Sequence, residues 1–327
     1  MKKPLMFLMT AVVLSPIALS QNAVTKIKVG LGYLPDVQFA PFYLAETSGA
    51  YKKAGFEVEF QHGFTNELYP LLAAGKLDYV VADAEDVVLL RSENAKAAPF
   101  KYIMALYQNV PNALFSKAEK NIKTIKDLKG KTIGIPGKYG NSWTSLQATL
   151  KAAKLKESDV KILEIGFTQL EAVVANRVDV AMGFVNNEPV KAAAQNIKLN
   201  VIPAAKYNRA PGVGMITTDA NLEKPELVKA FLAANQAAMV TTINTPKVAF
   251  EASKKYVQNL GDEGMKVLEA SIPLYQSPFT LAEGIGFSNP NGWQSAIDTL
   301  KAFGRLPKPA KRSSFYTNIY LKNVQAK

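Results

Sequence analysis

The chain has 327 residues, a formal charge of +12, no cysteine and a single histidine. Without cysteine there is no disulfide, no thiolate nucleophile and no cysteine-ligated zinc or iron–sulfur centre, and one histidine rules out a histidine pair on a metal. At this length two domains are expected rather than one core.

Residues 1–20 read as a secretory leader. Lys2 and Lys3 open it, Pro4 to Leu19 is uncharged and mostly apolar, and Ala18-Leu19-Ser20 has the small residues of a cleavage site. The apolar run is short for a membrane span. Export to the periplasm is therefore expected, with no cysteine to carry a lipid anchor. Loss of the leader leaves a charge of about +10. The lysines are interleaved with acids, as in "KLKESDVK", and no nucleic-acid motif is present. They are expected to form solvated faces, with no nucleic-acid partner.

"VGLGYLPDVQFAPFY" (29–43) begins as an apolar strand, loosens at its glycines and runs into a helix from Pro41. A second strand follows in "FEVEF" (56–60). "LAAGKLDYVVADAED" (72–86) then gives a helix end, Asp78, a short strand and an acidic loop. About a hundred residues on, the same order returns. "KTIGIPGKYGNSWTSLQATL" (131–150), "VKILEI" (160–165) and "VVANRVDVAMGFVNN" (173–187) repeat strand, helix, strand, helix end, Asp179 and strand. Gly75 and Asn176 are the residue types that best accept the left-handed conformation ending a helix. Each half should be a parallel sheet covered by helices, and the two halves related lobes.

"NVIPAAKYNRAPGVGMITTD" (200–219) reads as strand, coil, strand, a crossover back to the first lobe. The remainder is mainly helical and ends in a basic, then aromatic, surface strap (305–321). The expected fold is α/β, two doubly wound lobes with a ligand cleft between them. Lobe I takes 21–107 plus 213–327, and lobe II takes 108–212.

Ligands in open α/β sheets sit beyond the carboxyl ends of strands. Four loops meet that rule: 33–39, 82–86, 137–143 and 184–188. Tyr33, Phe39, Tyr139, Trp143 and Phe184 are candidates to stack on a flat ring. Asp36, Gln38, Asp83, Asn186, Asn187 and Glu188 are candidates to read its donors and acceptors. Gly140, Asn141 and Ser142 open a helix whose N–H groups suit an oxygen-bearing or anionic group. Asp83, Glu85 and Asp86 lack the glycine and closing glutamate of a calcium loop, and are expected to start a helix with one facing the cleft. His62 is expected at the surface or in a hydrogen bond rather than on the ligand. No nucleophile elbow, phosphate loop, metal site or cofactor site is found. What remains is binding chemistry.

With these residues in place the chain resembles the type II periplasmic solute-binding proteins of ABC importers. The branch is the one similar to thiamine-pyrimidine synthases and to sulfonate- and nitrate-binding proteins. The carriers are "GYLPDVQFAPFYLAETSGAYKKAGFEVEF", "LLAAGKLDYVVAD", "IKDLKGKTIGIPGKYGNSW", "EAVVANRVDVAMGFVNNEP" and "FYTNIYL". The resemblance implies two lobes joined by two crossovers that close on a small ligand, a monomer, and a membrane permease with its ATPase as partners. The synthases carry Pro-Asn-x-x-His-x-x-Phe-Tyr and a cysteine-rich motif. Here Pro35, Phe42 and Tyr43 match, Asp36 and Phe39 replace the asparagine and histidine, and cysteine is absent. The implied ligand is a heteroaromatic nutrient of the thiamine-pyrimidine or riboflavin type. A sulfonate, nitrate or other small anion is the alternative, and a pyrimidine-forming enzyme is disfavoured.

Overall fold

The computed structural model describes residues 24–306 and 308–326; the expected leader lies outside them. Ten strands form two five-stranded sheets. The first has the order β2 (Phe56–His62), β1 (Thr25–Leu31), β3 (Tyr79–Asp83), β10 (Val213–Thr218) and β4 (Phe100–Ala105). The second has the order β7 (Lys161–Glu164), β6 (Thr132–Ile135), β8 (Val180–Phe184), β5 (Asn112–Lys117) and β9 (Leu199–Pro203). Position for position, one sheet repeats the other.

The sheets are mixed, which corrects the expectation of parallel ones. β10 runs antiparallel to β3 and β4, and β5 antiparallel to β8 and β9. The cause is the crossover. β4 and β9 each leave their lobe at the cleft end, so β5 and β10 enter the other lobe there and must run away from it.

Local chemistry sets the repeat. Gly75 and Asn176 both sit at positive φ, 67° and 56°. The chain then turns so that Asp78 accepts from the Lys28 N–H at 2.8 Å and Asp179 from the Thr132 N–H at 3.0 Å. Asp78 locks β3 beside β1, and Asp179 locks β8 beside β6.

Side chains of β3 alternate between two cores, as a strand buried on both faces requires. Tyr79 and Val81 join Val29, Leu31, Phe42 and Phe231. Val80 and Ala82 join Leu68, Leu72 and Trp293. Lobe II has the same sandwich around Ile133 and Val180 on one face and Ala181 and Val178 on the other. The terminal strap lies along edge strand β4. Tyr102 N–H donates to the Phe315 carbonyl at 2.9 Å, and Thr317 N–H to the Tyr102 carbonyl at 3.0 Å. Phe315 is buried and Tyr316 stacks on Trp293 at 5.0 Å, covering an edge open to pairing. Among the described residues no helix is long and apolar enough to cross a membrane.

Candidate ligand cleft

A cavity lies between the lobes at the carboxyl ends of the parallel strands. Its enclosed volume is about 80 Å³, within a wider cleft that opens to solvent.

The lobe I wall starts where β1 ends. Asp36 accepts from the Gln38 N–H at 3.1 Å and caps a 3₁₀ turn, Val37–Phe39, which turns Gln38 and Phe39 to the cavity. His62 fixes this wall from behind. Its Nδ1–H donates to the Tyr33 carbonyl and its Nε2 accepts from the Tyr43 hydroxyl, both at 3.0 Å. Burial lowers the His62 pKa, and the neutral ring is the form this pattern needs. The ring sits 5.6 Å from that of Phe39. His62 is thus hydrogen-bonded behind the wall rather than on it.

The lobe II wall comes from the loops after β6, β7 and β8. Tyr139 and Ser142 flank the start of the helix Gly140–Ala152. Phe167 and Gln169 follow β7, and Phe184, Asn187 and Glu188 follow β8. Glu188 folds back to accept from the Phe184 N–H at 2.8 Å. Gly183 makes room for it, since a Cβ there would lie 2.6 Å from that carboxylate. Burial raises the Glu188 pKa, and the backbone donors oppose it.

Three sets of contacts close the lobes on each other. Phe167 stacks on Phe64 at 4.2 Å and meets Tyr33 edge-on at 4.6 Å. Lys191 Nζ pairs with Asp36 Oδ2 at 2.8 Å. Asn186 Nδ2 lies 3.1 Å from Gln38 Oε1, 3.1 Å from the Tyr107 hydroxyl and 2.7 Å from Ser271 Oγ.

The acidic loop makes a fourth. Asp83 Oδ2 accepts from the Asn141 N–H at 2.8 Å, and Asp86 Oδ1 from the Gly140 N–H at 3.2 Å. Two lobe I carboxylates therefore occupy the positive end of a lobe II helix. Gly140 is required there: its φ is +64°, and a Cβ would collide with the Asp83 carboxylate. Burial raises the pKa of both aspartates, and the two carboxyl groups lie close to each other. Glu85, fully buried, accepts from Asn208 Nδ2 at 2.9 Å and is pushed up to about 8 by burial. Among the described residues no group of acids and histidine is arranged to hold a metal.

Of the residues anticipated from sequence, Tyr33, Gln38, Phe39, Asp83, Tyr139, Ser142, Phe184, Asn187 and Glu188 line the cavity. The structure places the others elsewhere. Trp143 turns into the lobe II core with Leu146 and Leu150, because positions 143, 146 and 150 share the sheet-facing side of their helix. Gly140 and Asn141 spend their N–H groups on Asp86 and Asp83, so that helix start is not open to an anion. Asp36 and Asn186 serve the closure contacts.

Thr65, Tyr107, Phe167 and Gln169 line the cavity without having been anticipated. A signal for two of them was in the chain. Gly63-Phe64-Thr65 recurs as Gly166-Phe167-Thr168, at the same point of each half.

A family profile described as NMT1/THI5 like matches residues 36–249. The chain belongs to the NMT1/THI5-like family. The riboflavin-binding protein RibY of Chloroflexus aurantiacus is 32% identical over 94% of this chain and 89% of its own length. The formylaminopyrimidine-binding protein of Halalkalibacterium halodurans is 22% identical over 92% of both chains. Among solved structures, the periplasmic aliphatic sulphonate binding protein SsuA of Escherichia coli superimposes with a TM-score of 0.69. The match covers 90% of this chain and 99% of SsuA at 16% identity, a likeness of fold. This NMT1/THI5-like chain has Phe39 buried at the cavity wall.

Proposed function

We propose that this chain is the solute-binding component of an ABC importer that captures an uncharged heteroaromatic nutrient, riboflavin or a thiamine-pyrimidine precursor. One observation carries the choice. The cavity wall bears six aromatic rings and two carboxylates, Asp83 and Glu188, and no lysine, arginine or histidine. A sulfonate or nitrate would meet acids there, with the helix start at Gly140 already occupied by Asp83 and Asp86. A flat ring meets aromatic faces and amides instead. The names of the relatives point to the same ligand class.

Function would then run through closure. Ligand bridges the two walls and favours the state in which Asp36–Lys191 and Phe64–Phe167 are formed, and a permease with its ATPase receives that state. One copy of the chain builds the whole cavity, which suits a monomer. The reading includes export to the periplasm and binding without turnover. The sequence has no cysteine, and its single histidine, His62, is held by Tyr33 and Tyr43 behind the wall.

The test is a melting series with riboflavin, 4-amino-5-hydroxymethyl-2-methylpyrimidine, taurine and nitrate. Saturating riboflavin or the pyrimidine is expected to raise Tm, and the anions to leave it unchanged. A shift with taurine or nitrate alone would reverse the assignment.

A further inference from the structure

Resting on that ligand class, we propose that Gln169 and Asn187 of lobe II select ligands whose ring edge carries an N–H or amino donor. Both residues line the cavity, and both are nearly closed to solvent, at 4% and 2% exposure. Gln169 Oε1 and Asn187 Oδ1 are buried acceptors with no hydrogen-bond partner among the described residues. Buried acceptors are almost always paired, so an unpaired one on a cavity wall marks a place where something else supplies the donor.

The surroundings narrow the donor further. Asn187 shares the cavity wall with Tyr33, one residue from each lobe. The two residues come from different loops, after β7 and after β8, and share the cavity wall with the rings of Tyr33, Phe39, Phe167 and Phe184. A purely hydrocarbon ring would fill the aromatic part and leave both acceptors unsatisfied. A ring with an imide N–H or an exocyclic amine satisfies them in the plane in which it stacks. Selection then works as in any site built around a buried hydrogen bond: an analogue lacking the donor is rejected because the site's own group stays unpaired.

Isothermal titration of the full chain tests this, using riboflavin against 3-methylriboflavin and the aminopyrimidine against its N,N-dimethyl analogue. Blocking the donor is expected to weaken binding roughly tenfold to a hundredfold in the wild-type protein. Gln169→Leu should weaken the donor-bearing ligand to a similar degree and narrow the gap to the methylated one. Gln169→Glu, which keeps an acceptor, should retain more of the affinity. Equal affinity for donor and methylated forms in the wild type, or full affinity in Gln169→Leu, overturns the amide selection while the ligand class stands. No binding of either parent ligand overturns both.

Discussion

Phe64 and Phe167 stack face to face across the cleft, with ring centroids 4.2 Å apart and planes 16° from parallel. They occupy equivalent places in the two halves, each inside a Gly-Phe-Thr. The internal repeat therefore meets itself at the point where the lobes close.

Phe167→Ala should weaken ligand binding about fivefold to a hundredfold. It deletes two ring pairs made across the lobes, with Phe64 and Tyr33, each worth ~0.5–1.5 kcal/mol. Phe167 is only half-buried, so the unliganded melting temperature should change little. Titration beside a melting curve checks both. A large drop in Tm with unchanged affinity would make Phe167 a core residue instead.

Lys191→Ala should speed ligand release. The Lys191–Asp36 pair joins the lobes, and Asp36 is nearly buried, so losing the cation leaves a desolvated carboxylate. A loss of ~1–2 kcal/mol in closure is expected, appearing mostly in the dissociation rate. Stopped-flow release in 50 mM and 500 mM salt provides the measurement. The variant should also lose part of the wild type's salt dependence.

The acidic loop sets a pH dependence. Asp83, Glu85 and Asp86 all have pKa values raised by burial, Glu85 to about 8. The folded chain then holds protons on these groups that the unfolded chain has released. Their effect on stability is neutral below the ordinary carboxylate range near 4, and it turns unfavourable as pH climbs from there towards 8. The groups facing Glu85 are Asn208, Asp83, Asp86 and Arg305. Glu85→Gln removes one titrating group and keeps an acceptor for Asn208. Relative to wild type it should gain stability on the order of 1–3 kcal/mol between pH 5 and pH 8. Urea melts at the two pH values read it directly, and a constant difference would show that Glu85 is ionised throughout.

What the chain reveals on its own is local chemistry. Gly75, Asn176, Asp78 and Asp179 mark two equivalent turns because left-handed backbone and an aspartate beside a strand start are short-range choices. The strand ends follow, and with them most of the cavity wall. Strand direction in β5 and β10 is not local: it depends on the end at which a crossover enters the other lobe. The partners of Gly140 and Asn141 are equally remote, since their N–H groups meet carboxylates more than fifty residues away. A helix start read alone looks open to an anion, and here the chain fills it.

Trp143 and Phe39 should separate core from site. Trp143 is 6% exposed, packs on Leu146 and Leu150, and has Lys138 Nζ 5.0 Å from its ring centroid. Trp143→Ala leaves a large void beneath the helix and should cost ~3–5 kcal/mol of stability. Binding measured well below the melting transition should stay near wild type, because the Tyr139 and Ser142 positions precede the void. Phe39→Ala opens the cavity wall itself and should cut affinity roughly tenfold or more through lost ring contact. Urea unfolding and titration on both variants check the contrast. If Trp143→Ala loses affinity while keeping its stability, the indole belongs to the ligand and not to the lobe II core.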